Sequence, residues 1–112
     1  MDRDDKQSDV EAERLFNLQL GNAVRTFEAG QSKDLEILIA LSDEIHLAPL
    51  WLQVADVKRN YLGFEFEGYL LNQSKLIPQL RPGLHLGASA DTILAWRVDG
   101  RKIIPRPQEY GL

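Results

Sequence analysis

Cysteine is absent from this chain of 112 residues, which excludes disulfides, thiol nucleophiles and cysteine-based zinc sites. That absence suits a reducing compartment, and a cytoplasmic location is the expectation. Walker, Rossmann and kinase glycine patterns are also missing, so nucleotide chemistry and bound cofactors find no support. Long apolar runs are lacking. The longest, "LEILIAL" at 35–41, falls far short of the roughly 18 residues that suggest a membrane span. The opening "MDRDDKQSD" is acidic and polar where a secretory leader needs a basic and then an apolar region.

What is present reads as one ordinary globular domain over 1–112, with 44% hydrophobic and 27% charged residues. The net charge of −4 is unevenly spread. Residues 1–44 carry 11 acids and 5 bases, and residues 45–112 carry 6 acids and 8 bases. A split of −6 against +2 suggests a partner for one end or docking between the two ends.

Residues 1–7 read as a flexible tail. Ser8 and Glu11 match the S-x-x-E capping box, and Phe16, Leu20, Ala23, Val24 and Phe27 recur at helical spacing. A helix over 8–30 follows, with Gly30 placed to end it and Gly21 costing about 1 kcal/mol relative to alanine. From 35 to 104 the pattern turns to short strands, at 35–41, 50–57, 63–72, "LHLGA" and "TILAWRV". The apolar residues of 50–57 do not settle on one face, which suggests a bulge. "KRNY" offers a turn in which Asn60 tolerates positive φ, and "RPG" offers another. Asp99-Gly100 is a two-residue hairpin signal with 102–104 as its return strand. Pro105 and Pro107 then end regular structure and leave 105–112 extended. The expected fold is α+β: one N-terminal amphipathic helix packed on a strongly bent, mainly antiparallel sheet or small open barrel of five to six short strands.

Trp51 and Val54 in "PLWLQV", Gly68, Leu70 and Asn72 in "EGYLLN", Gly83 in "LRPGLHL", and Ile93 and Trp96 in "TILAW" form a further pattern. Over residues 50–98 the chain resembles the YegJ-like family of small bacterial domains. Their pattern runs from a tryptophan-bearing strand to a G-x-L-x-N strand end, a glycine turn and a closing strand ending in tryptophan. This chain departs from it at Ala95, where the family has an acid, and at Gln73-Ser74, where a proline is common. The resemblance implies a β-rich module of bacterial origin and brings no activity and no catalytic residues.

Four constellations invite a chemical reading. Glu65 and Glu67 lie at i and i+2, about 6–7 Å apart at the backbone, a spacing that a glycosidase pair could use. Alternation with Phe64 and Phe66 is, however, what any half-buried strand shows, so the glutamates and Tyr69 read as its outward face. His46 with Asp43, Glu44 and His85 is the only metal-like set, and no ligand spacing holds it, so no metal is expected. Ser89 with His85 and Asp91 lacks the second glycine of a nucleophile elbow. Arg97, Arg101, Lys102 and Arg106 surround the 99–100 hairpin, with Trp96 and Tyr110 near, and offer nucleic acid a basic surface. An exposed hairpin is ordinarily charged, and Trp96 reads as core.

Leu15 and Leu18 point away from the main helix stripe and offer a second apolar surface. The function that emerges is a non-enzymatic protein-binding domain, with an immunity or antitoxin-type inhibitor of a bacterial toxin as its sharpest form. Leu15, Leu18, Glu65, Glu67 and Tyr69 are the candidate contact residues, and homodimerisation is a further use for them. A nucleic-acid-binding barrel using the basic hairpin, and a hydrolase using Glu65 and Glu67, are the alternatives.

Overall fold

The computed structural model describes residues 2–39, 49–61, 63–75 and 77–107, with side chains described from residue 10 onward. Helix α1 (Asp2–Glu28) precedes β1 (Leu35–Ile39), β2 (Leu50–Asn60), β3 (Gly63–Leu70), β4 (His85–Ser89), β5 (Ile93–Val98) and β6 (Ile104–Pro105). The α1 stripe is as its spacing dictates: Phe16, Leu20, Ala23 and Val24 are buried and Phe27 packs against them. Its start is earlier than the capping box implies. Residues 2–7 continue the helix instead of forming a tail, and Ser8 and Glu11 lie inside it. "DRDDKQ" holds no glycine or proline to stop propagation, so the local S-x-x-E signal does not set the boundary. The C-terminus closes on Gly30 at φ 79°, with Gly30 N–H donating to Phe27 O and Gln31 N–H to Thr26 O. This paired bonding is the Schellman arrangement, which a glycine at that position permits.

The six strands form one antiparallel sheet in the order β4-β3-β2-β1-β5-β6. That order forces a strong roll. β4 and β5 are four strand intervals apart, roughly 19 Å in a flat sheet. Yet they are joined only by a 3-10 turn, Ala90–Thr92, and the four steps from Ser89 to Ile93 reach at most about 14 Å. The sheet therefore curls until its β4 end approaches β5, without the hydrogen bonds that would close a barrel.

The bend is built into β2 and β3. Ala55 is the extra residue in a register shift between Val54 and Asp56, the bulge that the mixed apolar pattern implied. Opposite it, Gly68 lets the strands approach so closely that an added Cβ would sit 1.9 Å from the Gln53 carbonyl oxygen. The inner face carries Leu35, Ile37, Ile39, Leu50, Leu52, Val54, Phe66, Leu70 and Ile93, which with α1 make a single core. Asn72 Oδ1 accepts the Trp51 N–H at 2.7 Å, and Gly83, at φ 90°, turns the chain so that its N–H reaches Leu70 O.

The hairpin at Asp99-Gly100 has positive φ at both residues, 51° and 70°, the signature of a type I′ turn. Its return strand is Ile104–Pro105, starting two residues and ending one residue later than the expected 102–104. Pro105 pairs with Ala95 instead of ending regular structure, as proline does on an edge strand. "KRN" also differs from expectation. β2 continues through Asn60, which pairs with Gly63 and does not take positive φ. Lys58 and Arg59 are held in the strand by pairing with Glu65 and Phe64.

Candidate functional site

A cleft of about 440 Å³ lies between α1 and the β5–β6 hairpin. Its helix wall is Gln19, Asn22, Ala23 and Thr26, an i, i+3, i+4, i+7 stripe along one flank. Trp96, Val98 and Ile104 form the opposite wall, and Arg101 and Lys102 stand at the hairpin end. The cleft exists because the helix offers only small or polar side chains on this flank. The sheet also stops at the two-residue β6, so Val98 and Ile104 pack against the core but stay only partly buried. Trp96 is 9% exposed, and its Nε1–H is buried without an acceptor among the described residues.

The glutamates of β3 lie on the other side of the sheet from the core, as their alternation implies. Glu67 is matched by Lys58 at 3.5 Å. Glu65 borders a second cleft of about 350 Å³, with Ser89 and Asp91, which Glu67 does not enter. The two glutamates are thus not convergent. Tyr69 is half exposed, and its ring meets His85 edge-on with centroids 5.3 Å apart. His85 lies four residues along β4 from Ser89, about 13 Å away, while the Ser89 hydroxyl donates to Asp91 at 2.6 Å. No nucleophile, base and orienting group meet here. Asp43, Glu44, His46 and Tyr110 lie outside the described residues, and within those described no group of three potential metal ligands forms.

The basic residues around the hairpin are dispersed. Arg97 pairs with Glu36 and stacks over Trp51 at 4.4 Å, on the outer sheet face. Arg106 pairs with Glu13, donates to the Ile93 and Ala90 carbonyls, and lies over the Phe16 ring at 4.7 Å. Arg106 thus joins α1, the 3-10 turn and β5, with its side chain only 11% exposed. Only Arg101 and Lys102 of the four remain at the hairpin surface, a small footprint for a phosphate backbone.

Two carboxylates are tuned by local bonding. Glu28 receives both Arg59 guanidinium nitrogens, at 2.9 and 2.5 Å, and its pKa falls below the usual carboxylate range through that hydrogen bonding. Asp99 accepts the backbone N–H groups of Asp34 and Lys33, each at 2.8 Å, and they lower its pKa in that order. Both pairings join distant parts of the chain, and the Asp99 charge also interacts with Arg101 of the cleft.

Leu15 and Leu18 are 52% and 57% exposed on the side of α1 away from the core; Val10 is 66% exposed but projects from a different flank. Glu65, Glu67 and Tyr69 lie on the outer sheet face, so the five candidate contact residues belong to two separate surfaces. No helix among the described residues is long and apolar enough to cross a membrane. Comparison with protein-family models, curated proteins and solved structures finds no match to this chain.

Proposed function

We propose that this chain is a non-enzymatic protein-binding domain that docks a partner on the outward side of α1, through Leu15 and Leu18. The observation that carries the reading is the exposure of Leu15 and Leu18, an i, i+3 pair of large apolar side chains on the outward flank of α1. Core packing does not account for them, because the core stripe of Phe16, Leu20, Ala23 and Val24 is complete without them. Apolar residues grouped on an outward helix face are the anchors that a helix-binding groove recognises.

The engagement of polar and charged side chains in structural contacts supports a binding role over catalysis. Arg97, Arg106, Lys58 and Ser89 are each engaged in contacts that hold elements together. The resemblance to YegJ-like domains points the same way, because Gly68, Leu70, Asn72, Gly83 and Trp96 serve the scaffold. An inhibitor of a basic toxin is the sharpest form of this reading. The acid-rich first 44 residues would steer it to such a partner.

Affinity capture from the source cells at low salt, followed by mass spectrometry, tests the proposal. A stoichiometric partner retained by the natural chain and lost by Leu18→Glu is expected. A chain that recovers no partner, or whose partner is indifferent to Leu18→Glu, removes the reading.

A further inference from the structure

The cleft between α1 and the β5–β6 hairpin has no role in that docking, since neither Leu15 nor Leu18 lines it. We propose that it is a small-molecule site for an amphipathic carboxylate, a compound with a flexible apolar body and one anionic end. Its volume of about 440 Å³ lies within the usual range for ligand pockets, about 300–1,000 Å³.

The apolar body is matched by the walls. Ala23, Val98, Ile104 and the Trp96 ring present hydrocarbon, and the polar groups of Asn22 and Thr26 sit along one side only. The anionic end is matched by the mouth, where Arg101 and Lys102 are consecutive and both line the cleft. Neither cation forms a salt bridge among the described residues. Asp99, the nearest acid along the chain, accepts the Lys33 and Asp34 N–H groups and only in part offsets the Arg101 charge, without a salt bridge to it. A carboxylate at this end would accept charge-assisted hydrogen bonds from the guanidinium and the ammonium. Trp96 Nε1–H is itself buried from the cleft, so the ligand's apolar body meets the indole ring and not the N–H. A cationic ligand would meet the wrong charge here, and a neutral one would leave the mouth unused.

The two tryptophans make the test internal. Trp96 lines the cleft, whereas Trp51 lies on the opposite sheet face beneath Arg97. Sodium decanoate is titrated into the ¹⁵N-labelled full chain while both indole N–H cross-peaks are followed. A saturable shift of the Trp96 peak with Trp51 unmoved is expected. Decan-1-ol, with the same body and no charge, and the Arg101→Ala/Lys102→Ala variant should each bind about tenfold more weakly. Decyltrimethylammonium should leave Trp96 unshifted. The variant changes exposed hairpin residues, and an otherwise unchanged spectrum shows that it folds. Parallel movement of both indoles, equal binding of acid and alcohol, or undiminished binding by the variant would each overturn the proposal.

Discussion

An added Cβ at Gly68 would lie 1.9 Å from the Gln53 carbonyl oxygen and 3.0 Å from Val54 Cα, and backbone atoms have no rotamer to retreat into. Gly68→Ala should therefore destabilise the fold by about 3 kcal/mol or more, measured by urea unfolding. An effect under about 1 kcal/mol would mean that β2 and β3 separate easily at the bulge. Nothing in local sequence announces this approach; Gly68 stood out only as part of a resemblance. Asp99 was legible in one of its two roles. The Asp-Gly pair signals the turn, while the bonds from its carboxylate to Lys33 and Asp34 depend on a tertiary neighbour. Those bonds lower its pKa in the folded state, so they contribute stability above the unfolded value of about 3.9. That contribution is lost as pH falls through the lower, folded value. Asp99→Asn keeps an acceptor oxygen and removes the charge. Its melting temperature should lie below that of the natural chain at neutral pH, and the gap should close toward the acid end. A gap constant with pH would assign the effect to geometry alone.

Elements were legible where their signal is periodic and opaque where it is not. The α1 stripe follows from 3.6-residue spacing and the β3 faces from alternation, and both are observed. The β2 bulge was readable because Leu50, Leu52 and Val54 keep one phase and Val57 keeps the other. The start of α1 was misplaced because a capping box is a local option that a helix-compatible segment upstream overrides. Gly21 reads as a cost inside one continuous helix, and α1 does pass through it; an added Cβ would meet Arg25 and Phe64 side-chain atoms at 3.9 Å. That is ordinary contact distance at a negative φ. Gly21→Ala should consequently stabilise the chain by about 0.5–1 kcal/mol, by narrowing the unfolded ensemble and improving helix propensity. Thermal unfolding checks the sign, and a lowered melting temperature would show that the α1–Phe64 contact has no slack.

For the whole molecule, the roll of the sheet was anticipated from the shortage of helix to cover it, but the cleft was not. Ala23 and Thr26 meet Trp96 and Ile104 only because β5 returns beside β1 under the helix, a pairing without local sequence signature. The same topology separates the two candidate contact surfaces, with Leu15 and Leu18 outward on α1 and Glu65, Glu67 and Tyr69 behind the sheet. If docking uses α1, apolar contact and charge should divide the kinetics between them. Leu15→Glu/Leu18→Glu changes two exposed side chains outside the core, so its stability should stay within about 0.5 kcal/mol of the natural chain. Its complex with the captured partner should nevertheless dissociate at least tenfold faster, because truncated or repelled anchors act mainly on the off-rate. Raising salt should instead slow association, since the charge excess of the first 44 residues acts over a Debye length of about 10 Å at 0.1 M and less above it. Tyr69→Ala, on the far face, should leave both rates unchanged. Surface plasmon resonance on these variants at several salt concentrations reads both constants. A partner released by Tyr69→Ala and kept by the leucine variant would move the docking surface to the back of the sheet. Sedimentation of the natural chain alone identifies the case in which that partner is a second copy.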